Sequence, residues 1–215
     1  MTPLVVPDDP SGYAEAVRVL RSGGLVALPT DTVYGIGVAL DAPRGIDRLF
    51  EAKRRPADRA IMLLLDSAGQ AREVGAWPPA AARLAEAFWP GGLTVVVDQL
   101  PDAGLPAELT GGSPTIGLRV PDHACPRALA ASLGPLPVTS ANVSGMPPAR
   151  DAREIAEQLG DAVDCIVDGG PAHGGPPSTV VDCTVDPVRI LRIGAVSEEA
   201  VAACLAADRR PRAGA

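Results

Sequence analysis

The stretch LVALPTDTVYGIG, residues 25–37, decides how this chain folds. Its first part, LVALP at Leu25 to Pro29, is short, apolar and bounded by turn residues, which predicts a buried strand. That strand delivers the polar cluster Thr30-Asp31-Thr32 at its end, where open α/β sheets commonly carry their chemistry. Upstream, Tyr13, Val17 and Leu20 recur at helical spacing between Ser11 and Ser22. Ser11 as cap and Gly23-Gly24 as stop make this an amphipathic helix. Downstream, Pro43 opens a helix with Ile46, Leu49 and Phe50 on one face, which runs to Lys53 before Pro56 breaks it.

The alternation continues to the end of the chain. Strands are predicted at Ile61 to Leu65, Leu93 to Asp98, Thr115 to Val120, into Thr139, and at Cys165 to Val167, Thr179 to Thr184 and Val188 to Ile193. Helices are predicted at Ser67 to Val74, Pro79 to Phe88, Pro126 to Leu133, Asp151 to Leu159 and Val196 to Ala207. This order implies an α/β sheet with helices packed on it, and the adjacent late strands imply antiparallel pairs. The Pro- and Gly-rich stretches at Leu100 to Pro114 and Gly169 to Pro177 read as loops, because each soon gives way to another strand-like run. The expectation is one domain over 1–207, with 208–215 a frayed, solvated tail.

With 215 residues and 47% hydrophobic content, the chain can bury a full core. No apolar run approaches the roughly 18 to 20 residues that span a bilayer, and the N-terminus lacks a basic flank, so no membrane partner and a cytoplasmic location are expected. Cys125, Cys165, Cys183 and Cys204 never form a close pair, which excludes zinc-ribbon and redox-pair spacing. The two histidines, His123 and His173, are too few for a histidine-rich metal centre. A net charge of −7 argues against a whole-surface nucleic-acid binder, so any anion site must be local.

Four segments carry candidate chemistry. PTDTVYGIG, Pro29 to Gly37, reads as a loop that holds a small polar substrate, with Gly35 and Gly37 letting backbone approach the ligand, or as a plain hydrophilic turn. KRRP, Lys53 to Pro56, offers polyphosphate a point charge from Lys53 and a planar fork from Arg55, or is a solvated helix end. TSANVSG, Thr139 to Gly145, sets Ser140 two residues before Asn142. No base is visible for Ser140, so hydrogen bonding is favoured over covalent catalysis, and Asn142 also suits a turn cap. DGGPAHGGPPST, Asp168 to Thr179, lacks the lysine of a phosphate loop and reads as a lid or an ordinary loop, with Ser178 just before the next strand.

Taken in order, PTDTVYG, KRRP, PGGLT at Pro90 to Thr94, TIGLRVPDH at Thr115 to His123, SANVSG, STVVD at Ser178 to Asp182 and ILRIG at Ile190 to Gly194 resemble the YrdC-like family across nearly the whole chain. The resemblance implies an open twisted mixed β-sheet flanked by helices around a large concave cavity. It also implies a nucleotidyltransferase that forms threonylcarbamoyl-AMP and pyrophosphate from L-threonine, bicarbonate and ATP, with Mg2+ accompanying the ATP. By matching position, Thr32, Arg119, Ser140 and Ser178 contact threonine. Lys53, Arg55, Thr115, Asn142 and Arg192 hold the nucleotide, with Arg59 taking over there from the Asn that the family commonly carries, and Lys53, Arg55, Ser140 and Asn142 form the catalytic set.

A downstream transferase that moves the threonylcarbamoyl group to tRNA is the implied partner, and weak contact with tRNA or RNA is compatible with a basic cavity. Two positions depart from the family pattern: Arg59-Ala60 stands where an Asn-Pro pair is common, and Pro148 where a serine is frequent. The chain matches the short, single-domain form. Two other readings stay open: a paralogue that makes another carbamoyl adenylate, and an RNA-binding protein without synthase activity.

Overall fold

The computed structural model describes residues 2–54, 60–172 and 175–206. Arg55, Arg59, His173 and the tail from 207 onward lie outside the described residues. The elements in chain order are β1 (Leu4–Pro7), α1 (Pro10–Arg21), β2 (Val26–Leu28), β3 (Gly35–Gly37), α2 (Gly45–Lys53), β4 (Met62–Leu64), α3 (Ala68–Val74), α4 (Pro79–Phe88) and β5 (Leu93–Asp98). They continue with α5 (Ala107–Thr110), β6 (Thr115–Arg119), α6 (Ala124–Leu133), β7 (Leu136–Ser140), α7 (Ala152–Leu159), β8 (Cys165–Asp168), β9 (Thr179–Asp182), β10 (Arg189–Arg192) and α8 (Glu198–Ala206).

Among the described residues ten strands form one mixed sheet, in the order β1-β8-β2-β3-β7-β4-β6-β5-β9-β10. The expected open α/β sheet flanked by helices is therefore the fold. The late pair β9 and β10 is antiparallel, as the sequence implies, whereas β5 runs parallel to β9 with Thr94 beside Val180.

Strand periodicity explains where the cavity forms. Successive side chains point to opposite faces. Leu63, Val95, Val97, Leu118 and Val181 join one core cluster with residues of α2, α3, α4, α5, α7 and α8. On the other face, a second cluster packs α1 and α6 against β1, β8, β2 and β7, reaching Leu64 of β4. Further along, Thr94, Val96, Gly117, Arg119 and Val180 turn toward that second face and line an open concavity. The cavity is the part of this face that α1 and α6 do not cover.

Four details differ from the sequence reading, the first being the short helix α5, Ala107–Thr110, inside the stretch Leu100 to Pro114 read as loop. The cap of α1 is Asp9, whose Oδ1 accepts from the amides of Ser11 at 2.9 Å and Gly12 at 3.1 Å. Pro10 takes the first helical position and pushes Ser11 into the first turn. Gly35–Gly37 is a strand rather than loop, paired antiparallel with both β2 and β7. Its glycines serve close approach to a neighbouring strand: a Cβ on Gly35 would lie 2.5 Å from Val138 Cγ1, and one on Gly37 would lie 2.9 Å from the Pro137 carbonyl oxygen. Finally, β1 has no counterpart in the sequence reading, and it forms by parallel pairing with β8 at the sheet edge.

Candidate active site

The cavity has a volume of about 560 Å³, within the roughly 300–1,000 Å³ of small-molecule sites. Its floor is the sheet. Met62 and Leu64 come from β4, Thr115, Gly117 and Arg119 from β6, Thr94 and Val96 from β5, and Val180 from β9. Its rim is made by the ends of these strands and the loops after them: Thr30 to Gly35, Ser140 to Pro148, and Pro177-Ser178. Seven of the residues expected from the sequence converge here: Thr32, Thr115, Arg119, Ser140, Asn142, Ser178 and Arg192.

One end is built around Arg119. Its guanidinium donates from Nε to the Gly91 carbonyl at 2.9 Å, from Nη1 to Thr32 Oγ1 at 2.9 Å and from Nη2 to Asp31 Oδ1 at 2.6 Å. The three acceptors fix the plane of a side chain that is 4% exposed. Thr32 is held in turn, since its amide donates to Thr30 Oγ1 at 3.1 Å, and Thr30 Oγ1 donates to the Val33 carbonyl at 2.7 Å. Burial pulls the Arg119 guanidinium below the usual arginine range, and the charge and hydrogen bond of Asp31 oppose that pull.

Arg192 forms the adjoining wall. It donates from Nε and Nη2 to the Ser178 carbonyl at 3.1 and 2.9 Å, and from Nη2 to Ser178 Oγ at 3.1 Å. Ser178 Oγ also shares a 2.9 Å hydrogen bond with Thr94 Oγ1. Burial lowers the Arg192 pKa, and the positive charge of Arg119 lowers it further. Arg119 and Arg192 are the ionised side chains that line the cavity among the described residues, and Asp31 neutralises one of them. A local positive excess thus arises in a chain whose net charge is −7. Two converging guanidiniums beside hydroxyls suit a carboxylate or a phosphate.

The Ser140 to Ala149 segment is braced from within. Asn142 Nδ2 donates to the carbonyls of Val143 at 2.9 Å and Met146 at 2.6 Å, and the Ala149 amide donates to the Ala141 carbonyl at 3.3 Å. The turn-capping reading of Asn142 is therefore realised, and its backbone and side chain also meet Lys53. Lys53 is 1% exposed and does not project into the cavity. From the last turn of α2 its ammonium donates to the carbonyls of Ser140 and Asn142, the latter at 2.6 Å. The sequence presents Lys53 as a point charge for phosphate. The structure sets that charge behind the loop, where it donates to two carbonyls of the turn, of which that of Ser140 also accepts from the Asn142 amide at 3.0 Å.

Other positions escaped the sequence reading. Thr94, buried in β5, orients Ser178, and Asp31 holds Arg119. PGGLT is a visible motif, yet which of its side chains meets Ser178 depends on β5 lying parallel to β9. A larger concavity of about 1210 Å³ lies between β10 and α8, with Leu191 and Ile193 exposed beside it. No serine or threonine lines it among the described residues, so the converging polar groups assign the site to the smaller cavity. Among the described residues no histidine hydrogen-bonds Ser140, Asn142 or Ser178, and hydrogen bonding accounts for their placement.

Residues 18–194 match the Sua5/YciO/YrdC family model, described as "Telomere recombination". A protein from Mycobacterium tuberculosis is 40% identical over 198 residues, which cover 92% of this chain and 90% of that one. The threonylcarbamoyl-AMP synthase of Bacillus subtilis is 36% identical over 200 residues, covering 92% of this chain and 57% of that protein. Among solved structures, Pyrococcus abyssi Sua5 in complex with L-threonine superimposes with a TM-score of 0.86 at 34% identity, covering 94% of this chain and 60% of that one. With a family match across most of its length and a shared fold at this level of identity, the chain belongs to the Sua5/YciO/YrdC family.

Proposed function

We propose that this protein is a threonylcarbamoyl-AMP synthase, supplying the activated threonylcarbamoyl group for modification of tRNA. The observation that carries the reading is the convergence of Thr32, Arg119, Ser178 and Arg192 at one end of a single cavity. An amino acid needs a cationic partner for its carboxylate and polar partners for its hydroxyl and amine. These four side chains supply both. Arg192, expected from the sequence at the nucleotide, thus serves the amino-acid end, and the remaining surface, with Thr115, Asn142 and Ser140, the last expected at threonine, suits a nucleotide on an apolar floor. Lys53 adds positive charge from behind, and Arg55 and Arg59 are assigned to the phosphates by their position in the sequence.

The chemistry follows from that arrangement. Bicarbonate supplies carbon dioxide, the threonine amine attacks its carbon, and the amine proton passes to solvent to leave a carbamate. A carbamate oxygen then attacks the α-phosphorus of ATP, and the bond to the β-phosphate oxygen breaks with loss of pyrophosphate. ATP enters with its magnesium ion as substrate. The protein forms no covalent intermediate. Its contribution is to hold two anions in line and to oppose the charge that develops on the phosphate.

Such an anhydride is reactive toward water and nucleophiles, so a transferase must consume it. The test is pyrophosphate release by the purified protein, with threonine, bicarbonate and ATP each omitted in turn. Release that needs all three supports the synthase. Release with another acyl acceptor in place of threonine points to a paralogue, and salt-sensitive RNA binding without turnover points to an RNA-binding protein.

A further inference from the structure

Among the described residues, glycine occurs within the strands of the sheet at Gly35, Gly37 and Gly117. The first two make room for Val138 and Pro137 on the neighbouring strand. Gly117, in the middle of β6, has no such neighbour. A Cβ on it would lie 3.4 Å from Thr94 Cγ2 and 3.5 Å from Met62 Cβ, which is ordinary contact, and the nearest backbone atom outside its own strand, Met62 Cα, would be 3.9 Å away.

A glycine inside a strand weakens it, and commonly marks a bulge or the close approach of a backbone or a ligand. No bulge is present here. The pairing of β6 with β5 runs unbroken from Thr115 opposite Asp98 to Leu118 opposite Val95. Nor is Gly117 among the glycines of positive φ, so its backbone suits any residue. With bulge, backbone contact and left-handed geometry all absent at this position, a ligand is the remaining reason for a missing side chain.

Its place in the cavity indicates which part of the ligands that is. Gly117 is half-buried and lines the floor. Thr115 and Arg119 share its face of β6, one to either side at roughly 7 Å along the strand. Arg119 anchors the amino-acid end, and Thr115 lies toward the nucleotide end. Across the strands Gly117 is flanked by Val96 of β5 and Met62 of β4, which offer a ligand no hydrogen-bond donor. What the floor contributes at this point is its low level.

We propose that Gly117 is the floor beneath the junction of the two substrates: the missing side chain lets the carbamate and the α-phosphate of ATP meet in line above β6. This rests on the synthase reading above. Gly117→Ala raises the floor by about 1.5 Å, the length of one C–C bond. A displacement of about 1 Å between reacting groups costs about a hundredfold in rate.

The experiment is single-turnover pyrophosphate release by Gly117→Ala at saturating threonine, bicarbonate and ATP, beside calorimetric binding of ATP alone and of threonine alone. Release should slow about a hundredfold, with both Kd values within about twofold of wild type. The melting temperature should equal or exceed that of wild type, because alanine loses less backbone freedom on folding than glycine.

A release rate within about twofold of wild type would overturn the proposal. A Kd for either substrate that weakens in step with the rate would overturn it too, since Gly117 would then lie under one substrate rather than between them. So would a lowered melting temperature, which would mean that the Cβ meets protein. Wild type without threonine-dependent release fails the synthase reading and this proposal with it, whereas normal wild-type release beside an unimpaired Gly117→Ala fails this proposal alone.

Discussion

The ammonium of Lys53 donates to the carbonyl oxygen of Asn142 at 2.6 Å, joining the end of α2 to the loop that forms one rim of the cavity. The bond is buried, and the Ser140 carbonyl shares the same ammonium. Leaving a buried acceptor without its donor costs about 1–3 kcal/mol. Lys53→Met should therefore lower unfolding free energy by about 3 kcal/mol and reduce turnover about a hundredfold, by analogy with loss of one charge-stabilising donor. Denaturant unfolding and pyrophosphate release, measured on the same preparation, check the two effects. Wild-type turnover in a destabilised variant would show that Lys53 serves the fold alone.

Thr94→Val tests how Ser178 is held. The substitution keeps the shape of the side chain in β5 and removes the hydroxyl that meets Ser178 Oγ at 2.9 Å. The threonine KM should rise about fivefold with stability changed by less than about 1 kcal/mol. Steady-state kinetics with threonine varied at saturating ATP reads this directly, and a rise in the ATP KM instead would assign Ser178 to the nucleotide.

Asp31→Asn keeps an acceptor for Arg119 Nη2 but removes the charge that offsets a buried guanidinium. The pair is tight, at 2.6 Å, with Arg119 4% and Asp31 16% exposed at the side chain. Breaking such a pair outright costs about 3–5 kcal/mol, and the retained hydrogen bond should limit the loss to about 2 kcal/mol. Calorimetric threonine binding should weaken as well, because Arg119 also donates to Thr32 Oγ1. Unaltered stability would mean that solvent, rather than Asp31, compensates the charge.

The edge pair β9–β10 carries a pH dependence. Burial raises the Asp182 carboxyl, but bonds from Thr184 and Arg189 outweigh it and hold the pKa below the usual carboxylate value. A depressed folded pKa means that stability is fully present above the unfolded value of about 3.9 and is lost as pH falls through the folded one. Asp182→Asn should lower the melting temperature at neutral pH, and the difference from wild type should shrink below about pH 4. A difference that persists undiminished in acid would contradict the linkage.

Runs of apolar, β-branched residues such as Leu93 to Asp98 and Thr115 to Val120 announced their strands, because a buried strand must hide both faces or one alternating face. Gly35–Gly37 did not announce itself. Glycine is a poor strand former by itself, and here the pairing is made possible by the space that Val138 and Pro137 require. Leu4–Pro7 is likewise visible as a strand only beside Cys165–Asp168.

In the site, the residue types of Thr32, Arg119, Ser178 and Arg192 were readable from their motifs. Their contacts were not. Which hydroxyl Arg192 touches depends on β9 and β10 pairing at the sheet edge, and the inward direction of Lys53 depends on carbonyls 87 and 89 residues away.

The most direct measurement is pyrophosphate release by the purified wild-type protein with ATP and magnesium, comparing the complete mixture with mixtures lacking threonine or bicarbonate. Release that requires both is the predicted result. Release that ignores threonine, or no release from protein shown by calorimetry to bind ATP, would contradict the assignment of this cavity to threonylcarbamoyl-AMP synthesis.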